Sequence, residues 1–383
     1  MHAEGRLLDF LSAIGARWLG GLLPRRLRLP LLVGCIVAGI VIGPQALGIG
    51  RQGAEAQPIA GLGVIMSERD ATMRTDAIAR LIAQVDEADL SRTVHHLARD
   101  PLPFRKVNYT RPGQTKASLD EADDYIEEKL RSWGYGVERE ACQVQAFRCD
   151  ASKPKAHQYS TPDPADPWYT AYNLYAKKVG ASRPDETIVA ISHKDSQSWV
   201  DSPGAYDNAV GTAATLEIAR LLADYPSQCT MWFVFCNEEH VPWTSIAAAQ
   251  NAKARGDNLI AIFNIDSLGG KPQADLDAGL RTNCTYYTTP EGERLAHLMA
   301  EVNEAYALGL HQYSHLRDTP GDDDGSFINA GYPAAIANIG SYPYGDPNYH
   351  TEADAPERVD FPNVRLAAQA SLAAILTLDQ GWR

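Results

Sequence analysis

From residue 137 onward, the apolar residues of this chain fall into short runs that break at charged or polar groups. Met231–Phe235 is an unbroken apolar run (MWFVF), followed by Cys236-Asn237 and then two adjacent carboxylates, Glu238 and Glu239. A run this short, rich in aromatic and Val residues, predicts a strand covered on both faces. Glu186–Ser192 leads in the same way into His193-Lys194-Asp195, and Leu259–Ile265 into Asp266. Val137–Phe147 alternates like a strand, Tyr172–Lys178 precedes a Gly/Ser/Pro/Asp turn, and Ala334–Ile339 adds a short strand. Asn208–Tyr225 predicts a helix of about four turns, its apolar face made by Val210, Ala214, Leu216, Ile218, Leu221 and Leu222. Trp243–Arg255 predicts another.

Upstream, residues 57–135 predict mostly helix, with helical spacing in Ala77–Val85 and Ala122–Leu130 and a proline-rich loop over Pro101–Pro112. Ser152–Trp168 reads as a polar, proline-bearing connector. Strands alternating with helices predict an α/β chain, a three-layer αβα sandwich whose central mixed sheet is mostly parallel in its middle.

Residues 1–56 differ in character. Arg17, Arg25, Arg26 and Arg28 precede Leu29–Ile42, a 14-residue stretch with no charge. That length suits the apolar part of an export signal, since a bilayer crossing takes about 20 residues. Ala54-Glu55-Ala56 has the small-x-small form of a cleavage site. Export is therefore expected, placing the protein in the periplasm, outside the cell, or anchored facing outward. Extending the stretch to Gly50 gives 22 mostly apolar residues, so an uncleaved membrane attachment through residues 29–50 competes with a cleaved leader. The organisation expected is signal peptide or anchor over 1–56, helical linker over 57–89, and catalytic domain over 90–383.

Hydrophobic residues at 45% and charged residues at 22% are ordinary for a globular chain. A net charge of −13 argues against a nucleic-acid partner, whose phosphates require Lys and Arg. None of the six cysteines forms a C-x-x-C pair, which argues against a thiolate zinc site. Cys142 and Cys149 flank an alternating segment; a hairpin disulfide and two buried free thiols are both open.

In a parallel sheet, the strand ends at His193, Glu238-Glu239 and Asp266 would lie side by side, where such sheets bind ligands. Asp195, two residues beyond His193 in extended chain, falls on the same side and can orient the imidazole. Asp207 occupies the N-cap position of the Asn208–Tyr225 helix, and capping is its simplest role. Asp322–Asp324 reads as a solvated loop, whereas His350 sits between Tyr349 and Thr351 in a turn-rich loop. His193, Asp207, Glu239, Asp266 and His350 form a nitrogen and carboxylate set that suits zinc in an open catalytic site. Five ligands exceed what one catalytic zinc can take and suit two zinc ions sharing a carboxylate. That leaves Glu238 to take a proton from the attacking water.

Six segments in this order resemble metallopeptidase family twenty-eight, the di-zinc aminopeptidases whose relatives include glutamate carboxypeptidase and glutaminyl cyclase. They are SHKDS at 192–196, GAYDNAVG at 204–211, NEEH at 237–240, NIDSLG at 264–269, GDDDGSF at 321–327 and NYHTEAD at 348–354. The likeness runs from about Leu90 to the carboxyl terminus and implies the zinc exopeptidase (phosphorylase/hydrolase-like) fold. It implies that His193 and Asp266 serve one zinc, Glu239 and His350 the other, and that Asp207 bridges. Glu238 would be the general base on the bridging water, Tyr349 would steady the oxyanion, and Asp195 would orient His193. The implied activity is hydrolysis of the amino-terminal bond of peptide substrates. A single-zinc glutaminyl cyclase and a carboxypeptidase are the alternatives on this scaffold. The carboxypeptidase needs a basic group for the substrate carboxylate, for which Arg317 and Lys271 are candidates. The chain departs from the family where Ser-Asp-His becomes Asp322-Asp323-Asp324, and where HVPWTS follows Glu239.

Overall fold

The computed structural model describes residues 75–382. The expected leader or anchor, with its 29–50 stretch, lies outside the described residues. No described helix is long and apolar enough to cross a membrane.

In chain order the strands are β1 (Val137–Ala146), β2 (Arg148–Cys149), β3 (Tyr159–Ser160), β4 (Tyr169–Lys178), β5 (Arg183–His193), β6 (Cys229–Cys236), β7 (His240–Val241), β8 (Leu259–Ile265), β9 (Thr282–Tyr287), β10 (His311–Leu316) and β11 (Ala335–Ile339). All but β2 and β3 form one nine-stranded sheet in the order β10-β9-β11-β8-β5-β6-β4-β1-β7. The middle is parallel: β5 runs with β6 on one side and β8 on the other, and β11 runs with β8. Antiparallel pairs flank it, β4 against β6 and β9 against β11. The mixed, centrally parallel sheet is the expected one, and β2 pairs with β3 in a small separate hairpin of which only β3 lies in the predicted connector.

Besides a five-residue helical turn at Gln273–Asp277, the α-helices of the described residues are α1 (Asp76–Ile82), α2 (Glu87–Ala98), α3 (Ser118–Ser132), α4 (Val210–Leu222), α5 (Thr244–Arg255), α6 (Pro290–Ala305), α7 (Asp322–Asn329) and α8 (Phe361–Asp379). Every residue of β6 is buried, because the sheet is covered on both faces there. Trp232, Val234 and Cys236 join Ala248, Ala249 and Ala252 of α5 and Phe327 of α7 in one core cluster. Phe233, pointing the other way, meets Tyr135 edge-on with ring centroids 5.6 Å apart. A period-2 chain buried on both sides has no polar face, which is why β6 reads as a continuous apolar run.

Three expectations need correction. The boundary drawn at residue 90 falls inside α2. Asp86 caps that helix, and Gln369 of α8 donates to the Ile82 carbonyl (2.9 Å), so α1 and α2 belong to the compact body. Asp322–Asp324 is not a solvated loop but the first turn of α7, with Asp323 and Asp324 fully buried. Cys142 and Cys149 are free thiols, as one of the two open readings had it, but Cys149 is exposed and Cys142 half-buried, so the expected burial does not hold.

Candidate metal centre

Three neighbouring strands deliver the central groups. His193 ends β5 directly beside Cys236 at the end of β6, and Asp266 follows the last residue of β8. Glu238 and Glu239 lie just past β6. Asp207 comes from the turn Ala205–Ala209 ahead of α4, and His350 from the segment between β11 and α8. Asp207 is the pivot. Its Oδ1 lies 3.1 Å from His193 Nε2 and its Oδ2 lies 3.0 Å from His350 Nε2. Each histidine also faces a second acid, Asp266 Oδ1 at 3.4 Å from His193 and Glu239 Oε1 at 3.3 Å from His350. The ligand atoms of His193, Asp207 and Glu239 lie within 4.8 Å of one another, as do those of His193, Glu238 and Asp266.

Asp207 does not cap the helix, contrary to the sequence expectation. It has extended backbone angles (φ −117°, ψ 87°), and the capping bond comes from Asn208, whose Oδ1 accepts from Gly211 N at 2.8 Å. The same oxygen accepts from Ser267 N (3.1 Å), while Asn208 Nδ2 donates to the Ile265 carbonyl (3.0 Å). Helix and strand end approach so closely that a Cβ on Gly211 would sit 2.1 Å from the Ile265 oxygen. With the cap supplied one residue later, the Asp207 carboxylate is free to face the two imidazoles.

Asp195 is fully buried and accepts four hydrogen bonds. Oδ1 takes Glu238 N (3.0 Å) and His193 Nδ1 (3.2 Å), and Oδ2 takes Glu239 N (2.9 Å) and His240 Nδ1 (2.7 Å). Val107 N donates to His240 Nε2 (3.3 Å), so His240 carries its proton on Nδ1. His193 likewise spends Nδ1–H on Asp195, and His350 spends its own on the Ala156 carbonyl (2.8 Å). Both imidazoles therefore turn Nε2 toward the acids, the tautomer a metal ligand needs.

The electrostatics favour a bound cation. Burial lowers His193 and His350, but the surrounding carboxylates outweigh it and hold both well above the usual imidazole value. Burial raises Asp207, but the two histidines hold it below the carboxylate range. Burial and then Asp207 push Glu239 up to about 7, and burial with Asp323 and Asp322 raises Glu238 well above its ordinary value. Protons are thus drawn to the place where a divalent ion would relieve the same repulsion. Two buried atoms, His350 Nε2 and Glu238 Oε2, have no aligned hydrogen-bond partner. The donor set fits zinc.

Some contributors escaped the sequence reading. Asp354 accepts from Tyr206 N (2.8 Å) and Asp207 N (3.1 Å), and Gln197 Nε2 donates to Asp207 Oδ2 (2.7 Å). Asp354 was visible in NYHTEAD without a role; Gln197 carried no signal. Tyr349 stacks on His350 with centroids 3.7 Å apart. Cys236 is buried in the core, and its Sγ also lies 2.9 Å from Asp323 Oδ2. Asp324, in place of the family histidine, pairs with Arg317, as does Asp322 (2.5 Å).

Residues 173–375 match Peptidase family M28, and the chain belongs to that family. It is 27% identical over 258 residues to a probable zinc metalloprotease of Pyrenophora teres f. teres, a match covering 55% of this chain and 52% of that protein. It is also 27% identical over 262 residues to leucine aminopeptidase 1 of Leptosphaeria maculans, covering 64% and 65% respectively. The chain thus spans about half the length of the first relative and just under two thirds of the second. The fold is shared with an aminopeptidase from Aneurinibacillus sp. strain AM-1, with a TM-score of 0.59 and 17% identity over 78% of this chain and 95% of that one.

Proposed function

We propose that this chain is a zinc-dependent exopeptidase that hydrolyses the amino-terminal peptide bond of peptides. The observation carrying this reading is the Asp207 carboxylate, with one oxygen on each of two histidines that each face a private acid. His193 and Asp266 would hold one zinc, Glu239 and His350 a second, and Asp207 both. Ions bound there would supply positive charge to polarise the scissile carbonyl and acidify a water.

The chain's own groups do the rest. Glu238 takes the water proton and delivers it to the leaving amine. Tyr349, held against His350, donates its phenol to the developing oxyanion. Asp195 keeps the His193 ring and the Glu238–Glu239 backbone in place.

Arg317 and Lys271 bear on which peptide end is read. Arg317 is engaged by Asp322 and Asp324, and Lys271 is buried against Asp360 (2.9 Å), Asn363 (2.7 Å) and the Leu280 carbonyl (2.6 Å). Both terminal nitrogens of Arg317 and the ammonium of Lys271 are thus already engaged, which favours amino-terminal over carboxyl-terminal cleavage. We place its site of action outside the cytoplasm, on the arginine-flanked apolar stretch before residue 51.

The test is a panel of aminoacyl chromogenic amides assayed with and without chelator, alongside metal analysis. Chelator-sensitive release of the amine with two zinc ions per chain is expected. One zinc per chain with cyclisation of amino-terminal glutamine would establish the cyclase instead, and no metal with no turnover would refute both.

A further inference from the structure

Arg105 sits in the loop between α2 and α3 and is completely buried, but no carboxylate is hydrogen-bonded to it. Its guanidinium donates to main-chain carbonyls instead. Nε reaches Lys194 O (2.7 Å), Nη1 reaches Leu97 O (2.5 Å) and Pro203 O (2.7 Å), and Nη2 reaches Gly204 O (2.7 Å). Its backbone completes the attachment: Arg105 N donates to Ser196 Oγ (3.0 Å), and Ser196 N donates to Arg105 O (2.9 Å).

The positions of these acceptors give the pattern its meaning. Lys194 lies between His193 and Asp195, Pro203 and Gly204 open the segment that delivers Asp207, and Leu97 belongs to α2. One planar fork therefore ties the end of β5 to the Asp207 segment and both to a helix. A lysine could not do this, because its donors radiate from a single atom. Gly204 shows how closely the segment is drawn in. It has φ +61°, and a Cβ there would lie 2.4 Å from the Asp207 carbonyl, 2.8 Å from Ser196 Cβ and 3.0 Å from Arg105 Nη2. A buried cation bonded only to carbonyl dipoles is costly to desolvate. Burial lowers its pKa to about 10, with Asp195, Asp354 and Asp207 opposing, so the group stays charged at neutral pH.

We propose that Arg105 is a positioning residue of the metal centre: it sets the spacing between His193 and the Asp207 carboxylate, and supplies fixed positive charge beneath the acids. This rests on the metal-dependent reading above. Because Asp207 is the carboxylate that faces both histidines, a shift of its segment disturbs both halves of the site at once. Groups that support metal ligands from behind typically change metal affinity or activity by about 10–100-fold when removed.

The test compares full-length wild type, Arg105→Gln and Arg105→Lys. Zinc affinity is measured on metal-free protein by competition with a chromophoric chelator, with circular dichroism and thermal melting to report the folded fraction. For Arg105→Gln, zinc affinity per folded molecule should fall about 10–100-fold, with kcat falling in parallel and KM changing by less than about 3-fold. Arg105→Lys, which keeps the charge but not the fork, should fall between. A purely structural role would lower the melting temperature and leave zinc affinity and kcat per folded molecule unchanged; that outcome overturns the proposal. Should Arg105→Gln not fold, Arg105→Lys decides, and wild-type zinc affinity in it is the refuting result. A wild type that binds no zinc refutes the functional reading itself, whereas a zinc-binding wild type with an equally zinc-binding variant refutes only the role of Arg105.

Discussion

Replacing Asp195 with Asn keeps the shape of the side chain but removes its charge and half its accepting capacity. Four donors now converge on that carboxylate: two backbone amides and two imidazole N–H groups. An Asn oxygen can keep the pair on one side, leaving the other pair facing an NH2. His240 cannot switch tautomer to accept from it, because its Nε2 already accepts from Val107 N. Each buried donor left unsatisfied costs about 1–3 kcal/mol. With partial relaxation the expected loss is about 3–5 kcal/mol, the range for a buried pair broken on one side. Urea unfolding of wild type and Asp195→Asn, both stripped by chelator, measures it without the added stabilisation of bound metal. The pH dependence has a definite sign. Burial pushes Asp195 up, but the bonds from His193 and His240 hold it below the carboxylate range. Its contribution is therefore complete above the unfolded value of about 3.9 and is lost as pH falls toward the depressed folded value. The gap between the two proteins should be flat through neutrality and narrow below about pH 4. A stability loss under about 1 kcal/mol, less than one unsatisfied donor, or a gap that widens in acid, would refute this account of Asp195.

Glu238→Ala should retain its zinc yet lose turnover by about 10²–10⁴-fold, read by metal analysis and amide hydrolysis; near wild-type rates would remove Glu238 from the proton path. Stripping zinc should lower the unfolding free energy by about 2.7 kcal/mol for each zinc site held at 100 times its Kd, measured by denaturant titration. Phe233→Ala, which empties a site buried between sheet and helices, should cost about 3–5 kcal/mol, seen as a lower urea midpoint. Among the described cysteines, native thiol labelling should modify Cys149 first and leave Cys229, Cys236 and Cys284 protected; an unreactive Cys149 would contradict its free, exposed state.

The middle of the sheet was legible because the central residues of β5, β6 and β8 are covered on both faces and read as mainly apolar runs. β9 and β10 were not. Thr282, Asn283 and Thr285 of β9 are buried but polar, and their side chains donate to the Gly340 carbonyl, Gln312 and Asn338 respectively. Hydropathy cannot see a polar interior whose partners come from other strands. The first turn of α7 was missed for the same reason: a run of three aspartates looks solvated until Arg317 and Cys236 are brought against it.

Local chemistry therefore settled which residue types stand at the strand ends, since an apolar run and its polar stop are written within a few positions. That identified His193, Glu238, Glu239 and Asp266 as neighbours from the chain alone. Tertiary structure decided what those neighbours do. It assigned the cap to Asn208 and released Asp207 to face two histidines that lie 14 and 143 residues away in sequence. It also set which imidazole nitrogen points inward, through Asp195 and the Ala156 carbonyl, and placed Arg105 behind the site. Such distances are fixed when the chain closes on itself, and no local periodicity encodes them.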